Sequence, residues 1–190
     1  MATPEMRSGS ASSADMLNRR RVGRSAAIGL MALGGATLVL GLLWALTLKR
    51  LSDPAAESLP PSLAGLALHS ADFGAEAVAE VDRLHRKQFP LTAGAVGNYG
   101  LQAEVTVWAA GTLSNFVARA MLNQMEESLA QGNSPFAPVG MSALDGRPVF
   151  ELRGMGQTHY YFQSGARVVW VAASPDVASV ALREALAFYP

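Results

Sequence analysis

The sequence predicts an α+β protein. One N-terminal transmembrane helix is followed by a soluble domain with a mainly antiparallel sheet, ordered β-α-ββ-α-ββββ-α, and helices packed on one face. Three observations predict it. Residues 25–48 carry no charge. Turn signals at Asp145-Gly146, Gly154-Met155-Gly156 and Ser164-Gly165 punctuate four short strand-like runs. An apolar repeat at helical spacing lies between Ser114 and Gly132. One sheet with helices on one face is the simplest layered arrangement of such elements.

Residues 1–24 are rich in Ser, Ala and Arg and hold few large apolar side chains, so a disordered basic tail is expected there. Residues 25–48, as a helix, would measure about 36 Å against the roughly 30 Å of a bilayer's hydrocarbon core. A cleaved signal peptide has a shorter apolar region, of about 7–15 residues, and a small-x-small exit. This run is longer and ends on Trp44, Leu46 and Leu48, which favours an uncleaved anchor. Arg7, Arg19, Arg20, Arg21 and Arg24 precede the helix, and only Lys49 and Arg50 follow closely. That excess places the N-terminus in the cytoplasm and the C-terminal domain outside it, as in a single-pass protein of a plasma (inner) membrane. Within the helix, Gly34, Thr37, Gly41 and Ala45 share one side, with Ser25, Gly29, Ala32 and Ala36 roughly opposite; small residues let helices approach closely.

Residues 49–62 contain Pro54, Pro60 and Pro61 and read as an extended linker. The extracytoplasmic domain is expected over residues 63–190. Residues 63–68 read as a short strand. A helix capped by Asp72 runs to about Lys87, burying Ala77, Val78, Val81, Leu84 and Gln88, and Pro90 stops it. Two strands, 91–96 and 101–109, flank the turn-rich residues 97–100. Ser114 caps the next helix, whose buried stripe is Ala118, Met121, Leu122, Met125 and Leu129, and Gly132 ends it. Strands follow at 139–144, 147–153, 158–163 and 167–173. Ser174, Pro175 and Asp176 start a last helix that buries Ala178, Leu182, Ala185, Leu186 and Tyr189.

Past Ser52 the chain has thirteen acidic and eight basic residues, a net −5, without the basic face of a nucleic-acid binder. There is no Cys, hence no disulfide or thiolate zinc site. His69, His85 and His159 have no partner at metal-ligand spacing. Neither a G-x-S-x-G elbow nor a phosphate loop is present, so no cofactor, metal or catalytic residue is expected. Asp72, Glu76 and Glu80 at four-residue spacing read as a solvated helix face.

The most distinctive stretch is Gly154-Met155-Gly156-Gln157-Thr158-His159-Tyr160-Tyr161. Its glycines allow positive φ or the close approach of another backbone. If Thr158, Tyr160 and Phe162 face the helices, then His159, Tyr161 and Gln163, with Trp108 and Trp170, form an open aromatic surface for a protein partner or a small-molecule or lipid ligand. Phe136, in the stiff segment Ser134-Pro135-Phe136-Ala137-Pro138, is expected to cap the core.

The closing order resembles the extracytoplasmic domains of membrane-bound anti-sigma regulators: strand 160–163, the Ser164-Gly165 turn, a Trp-bearing strand at 168–172 and a terminal helix over 175–189. That resemblance implies an extracytoplasmic ligand-binding or sensory domain. The chain departs from it in having no Cys for a His-Cys-Cys zinc motif and only twenty-four residues before its apolar run. Its layout also resembles bitopic assembly proteins of secretion and division machines. The expected function is a non-enzymatic membrane-anchored accessory or scaffold protein with a protein partner.

Overall fold

In the computed structural model, the structure describes residues 13–85, 88–132 and 134–190, with side chains from residue 29 onward apart from that of His85. The expectations that rest on residues 1–12, on the Ser25 side chain and on Lys87 lie outside the described residues. The chain divides into two compact units, Met1–Thr47 and Leu48–Pro190.

The first helix, α1, spans Ser13–Ser52, beyond the apolar run at both ends. Its residues Gly29–Ser52 have a mean hydropathy of 1.9 and none of that window is buried. This is a helix long and apolar enough to cross a membrane, and a signal sequence would pass the same test. Thr37 and Thr47 return their hydroxyls to the carbonyls of Leu33 and Leu43, four residues back, which satisfies them without a partner outside the helix.

The second unit is an antiparallel nine-stranded sheet with helices packed against it. Its elements are β1 (Ala55–Ala56), β2 (Ser62–Leu63), β3 (Leu66–Phe73), α2 (Ala75–His85), β4 (Leu91–Tyr99), β5 (Val105–Thr112), α3 (Asn115–Ala130), β6 (Ala137–Leu144), β7 (Arg147–Gly154), β8 (Gln157–Ser164), β9 (Arg167–Ala173) and α4 (Ala178–Phe188). The strand order is β2-β3-β4-β5-β9-β8-β7-β6, and β1 runs parallel to β4. The β6–β9 meander therefore returns its last strand to the centre, beside β5.

The helices divide between the two faces rather than sharing one. Beneath α4, whose Ala181, Leu182 and Ala185 are buried, lie Val105, Val107, Tyr160, Phe162, Val169 and Val171. On the other face, α2 and α3 contribute Val81, Ala118, Met121 and Leu122 over Ala110, Leu152, Tyr161 and Val168. Successive strand residues point to opposite faces. A strand apolar at nearly every position, as β9 is, must therefore be covered on both.

Other differences are local. Leu84, expected inside, is exposed. The β4–β5 turn falls at 100–104, later than expected, where Gly100 and Ala103 take positive φ. Asp72 lies in β3, so it does not cap α2. Ser114 caps α3 as expected, its hydroxyl accepting from the Val117 N–H at 3.3 Å. Ser174 supports the start of α4 through its carbonyl, which accepts the N–H groups of Val177 and Ala178, and its side chain makes no cap there.

The Pro-rich segment 53–62 is no free spacer. Pairing with Ala93 and Gly94 fixes β1. Glu57 accepts from Arg167 Nε at 2.8 Å. The carbonyls of Ser58 and Pro60 accept the hydroxyls of Tyr189 and Tyr99 at 2.8 and 2.9 Å. Leu59 packs against the α4-side core. Proline removes donors, and this segment holds on through these acceptors together with the Glu57 N–H, which donates to the Gly94 carbonyl at 3.1 Å.

Candidate functional site

The strand register places five side chains in one row across the sheet. Trp108 lies opposite Trp170, Trp170 opposite Tyr161, Tyr161 opposite Phe150 and Phe150 opposite Met141. The rings of Tyr161 and Trp170 stack with centroids 5.3 Å apart, and those of Phe150 and Tyr161 stack at 4.7 Å. Direct cross-strand neighbours of this kind stabilise a sheet.

Three of the residues expected on an open surface, Tyr161, Trp108 and Trp170, belong to this row, and His159 adjoins it. The surface is not open. Tyr161 is 2% exposed and His159 3%, and α3 lies above them. Burial, with the Glu126 carboxylate as a lesser contribution, pushes the Tyr161 hydroxyl up to about 12. Trp108 and Trp170 are half-buried, and their indole N–H groups donate to Glu80 Oε1 on α2 and to His159 Nδ1, each at 3.1 Å. The Gln163 amide donates to the carbonyls of Asn115 and Gly165, at 3.0 and 2.8 Å, and so ties the start of α3 to the β8–β9 turn. All five residues make structural contacts within the domain.

His159 is the most constrained of them. With Nδ1 accepting from Trp170, the ring proton sits on Nε2, which donates to the Gly154 carbonyl at 3.1 Å. That is the neutral imidazole. Burial lowers the His159 pKa, and the bond to Gly154 acts in the opposite sense. Phe136 packs edge-on to His159 and Trp170, with centroids at 4.7 and 5.5 Å, and caps the core as expected. Gly154 makes this possible: a Cβ there would lie 2.6 Å from the Pro135 carbonyl oxygen and 2.7 Å from the Phe136 ring. Met155 and Gly156 take φ of 52° and 79° in the β7–β8 turn. The Gly-Met-Gly signal thus marks a tight turn beside a close backbone approach.

Gly34, Thr37, Gly41 and Ala45 are exposed on α1, and a Cβ at Gly34 or Gly41 would meet nothing within 4 Å.

Two features escaped sequence reasoning. One is the edge position of β6, a strand expected at 139–144 that ends the sheet and whose eight residues carry no charge and are exposed apart from Leu144. Val139 is 50% and Met141 66% exposed. The sheet's other end differs: β3 carries His69, Ser70 and Asp72, and β2 pairs along part of it. The second is a groove of about 440 Å³ between β7–β8 and the start of α4, lined by Glu151, Arg153, Thr158, Tyr160 and Ser179 among others. The register sets Glu151 opposite Tyr160 and Arg153 opposite Thr158. Burial, then the nearby Glu151 carboxylate, raises the Tyr160 hydroxyl, and Arg153 acts against them. Among the described residues no group of three His, Cys, Asp or Glu side chains is placed to hold a metal ion.

No family model matches this chain, and no curated protein or solved structure shows significant similarity to it.

Proposed function

We propose that the chain is a non-enzymatic, single-pass membrane-anchored interaction protein, an accessory or scaffold subunit. Its N-terminus lies in the cytoplasm and its α+β domain on the outer side of a plasma (inner) membrane. The apolar stretch Gly29–Ser52 and the arginines before it support the anchor and its direction. The single observation that carries the interaction reading is β6. An exposed, uncharged edge strand invites another strand, and proteins commonly blunt such edges with charge when pairing is unwanted. A partner that adds a strand gains backbone hydrogen bonds along the edge and sets its alternate side chains beside Val139 and Met141. The open small-residue side of α1, at Gly34, Thr37, Gly41 and Ala45, is a second place for a neighbour.

The test is isolation of tagged full-length protein from its native membrane in mild detergent, with mass spectrometry of what accompanies it. A stoichiometric protein, or a second copy of the chain, that is lost with Met141→Lys is the expected result. A solitary chain in every mild detergent contradicts the reading.

The groove beside α4 favours a second reading, a ligand-binding or sensory domain. Tyr160 and Thr158 line it, and since no buried side-chain polar atom among the described residues lacks a partner, their hydroxyls are open to its solvent, where a polar ligand could reach them. A thermal shift produced by a pool of small polar molecules and abolished by Tyr160→Phe supports it; no shift with any pool counts against it.

A further inference from the structure

The β6–β7 turn fixes which backbone groups of β6 are unused. Its two central residues, Asp145 and Gly146, have φ of 52° and 73°, a two-residue hairpin turn. In such a hairpin the flanking pair, Leu144 and Arg147, exchanges both hydrogen bonds, and hydrogen-bonded pairs recur at every second residue. Ser142 and Gly140 therefore turn their N–H and C=O groups toward β7, opposite Val149 and Glu151. Met141 and Ala143 turn theirs outward. Pro148, which has no N–H, sits opposite Ala143, consistent with that assignment. The usable edge is short: a register shift between Pro138 and Gly140 ends it on one side and the Asp145-Gly146 turn on the other.

Resting on the reading of β6 as the interaction edge, we infer that its partner is a second copy of the same strand. The two chains pair antiparallel about a two-fold axis at Met141 or Ser142. An isologous contact sets a segment against itself, so like charges would face one another; β6 has none. With the axis at Met141, that residue faces its own copy; with the axis at Ser142, Met141 faces Ala143. Either way apolar meets apolar on the α3 side of the sheet, and Gly140 and Ser142 keep the other side small. Met141 ends the row Trp108-Trp170-Tyr161-Phe150, and pairing continues that row into the second copy while covering its exposed end. The two sheets then form one continuous sheet with neither β6 left as an edge.

The chain has no cysteine, so single introduced thiols report the pairing directly. Full-length protein in its membrane, carrying Met141→Cys, Ser142→Cys or, as a control on an exposed site of α4, Ser179→Cys, is oxidised mildly. A disulfide-linked dimer at position 141 or 142, at least about tenfold above the control, is expected; Met141→Lys sets two like charges directly opposite one another with the axis at Met141, or diagonally with the axis at Ser142, and should lower the dimer fraction on the order of tenfold. Adding Ala143→Pro removes an outward N–H, leaves the bonds to β7 intact, and should abolish the cross-link. Cross-linking no greater than the control's overturns the inference. A different protein captured at position 141, with the chain itself monomeric by light scattering, also overturns it but leaves the proposed function standing. A monomer that captures nothing ends both.

Discussion

Trp170 donates its indole N–H to Nδ1 of His159 at 3.1 Å, and this bond makes His159 a fixed neutral element of the core. A protonated ring would present a second donor to the Trp170 N–H, so protonation and this packing exclude one another. The unfolded chain takes up a proton near the ordinary His value of 6.5, and the folded chain at a lower pH. Between those values the unfolded state binds more protons, so stability falls as the pH drops and is complete above the unfolded value. Melting curves from pH 8 to pH 5 should show this loss. His159→Phe keeps a ring but orphans the Trp170 N–H; it should cost about 1–3 kcal/mol at pH 8 and flatten the acid side of the curve. An unchanged acid slope in the variant would contradict the assigned tautomer.

Tyr161 should behave as core. It is 2% exposed and stacked between Phe150 and Trp170. Tyr161→Ala should destabilise the domain by about 3–5 kcal/mol in urea unfolding. A surface residue would change stability by less than about 0.5 kcal/mol.

Gly154 and Gly156 should fail for different reasons. Alanine at 154 drives a methyl against Pro135 and Phe136, and overpacking of that kind costs about 1–3 kcal/mol. Gly156 has open space around it but a φ of 79°, so alanine there meets only backbone strain, about 1–2 kcal/mol. Restoring room with Phe136→Leu should recover part of the first loss and none of the second, which a double-mutant cycle reads.

The strap before β2 should be part of the folding unit. A chain beginning at residue 53 keeps the carbonyls of Ser58 and Pro60; one beginning at residue 63 orphans the hydroxyls of Tyr189 and Tyr99 and uncovers the Leu59 site. Each orphaned hydroxyl costs about 1–3 kcal/mol. Burial holds both phenols well above their ordinary range, so ionisation cannot relieve them at neutral pH. The shorter chain should melt far below the longer one. Equal melting temperatures would show the strap to be dispensable.

Much of this fold is legible in the residues. Asp145-Gly146 and Ser164-Gly165 mark their hairpins, and Ser114 and Gly132 bracket α3, because turns and caps demand particular backbone angles and donors that few residues supply. The distribution of helices is not read from the alternation in β8, because Tyr160 and Phe162 on one face and Tyr161 on the other are equally apolar. Alternation separates two faces without saying which carries a helix. The nearly unbroken apolar run in β9 is the signal for cover on both sides. The expected aromatic surface fails for the same reason. The strap is hidden by composition, since a two-residue parallel bridge leaves no period and its prolines look like a spacer. That β6 forms an edge depends on the order in which the meander returns to β5, which no local pattern encodes.

Hydrogen exchange at the Met141 and Ala143 amides of the full-length protein tests the central claim most directly, compared between its native membrane and a dilute detergent solution. If the β6 edge is the working surface, both amides are protected in the membrane and exchange freely on dilution, while those of Ser142 and Leu144, bonded to β7, stay protected in both. Free exchange at Met141 and Ala143 in the membrane would contradict it.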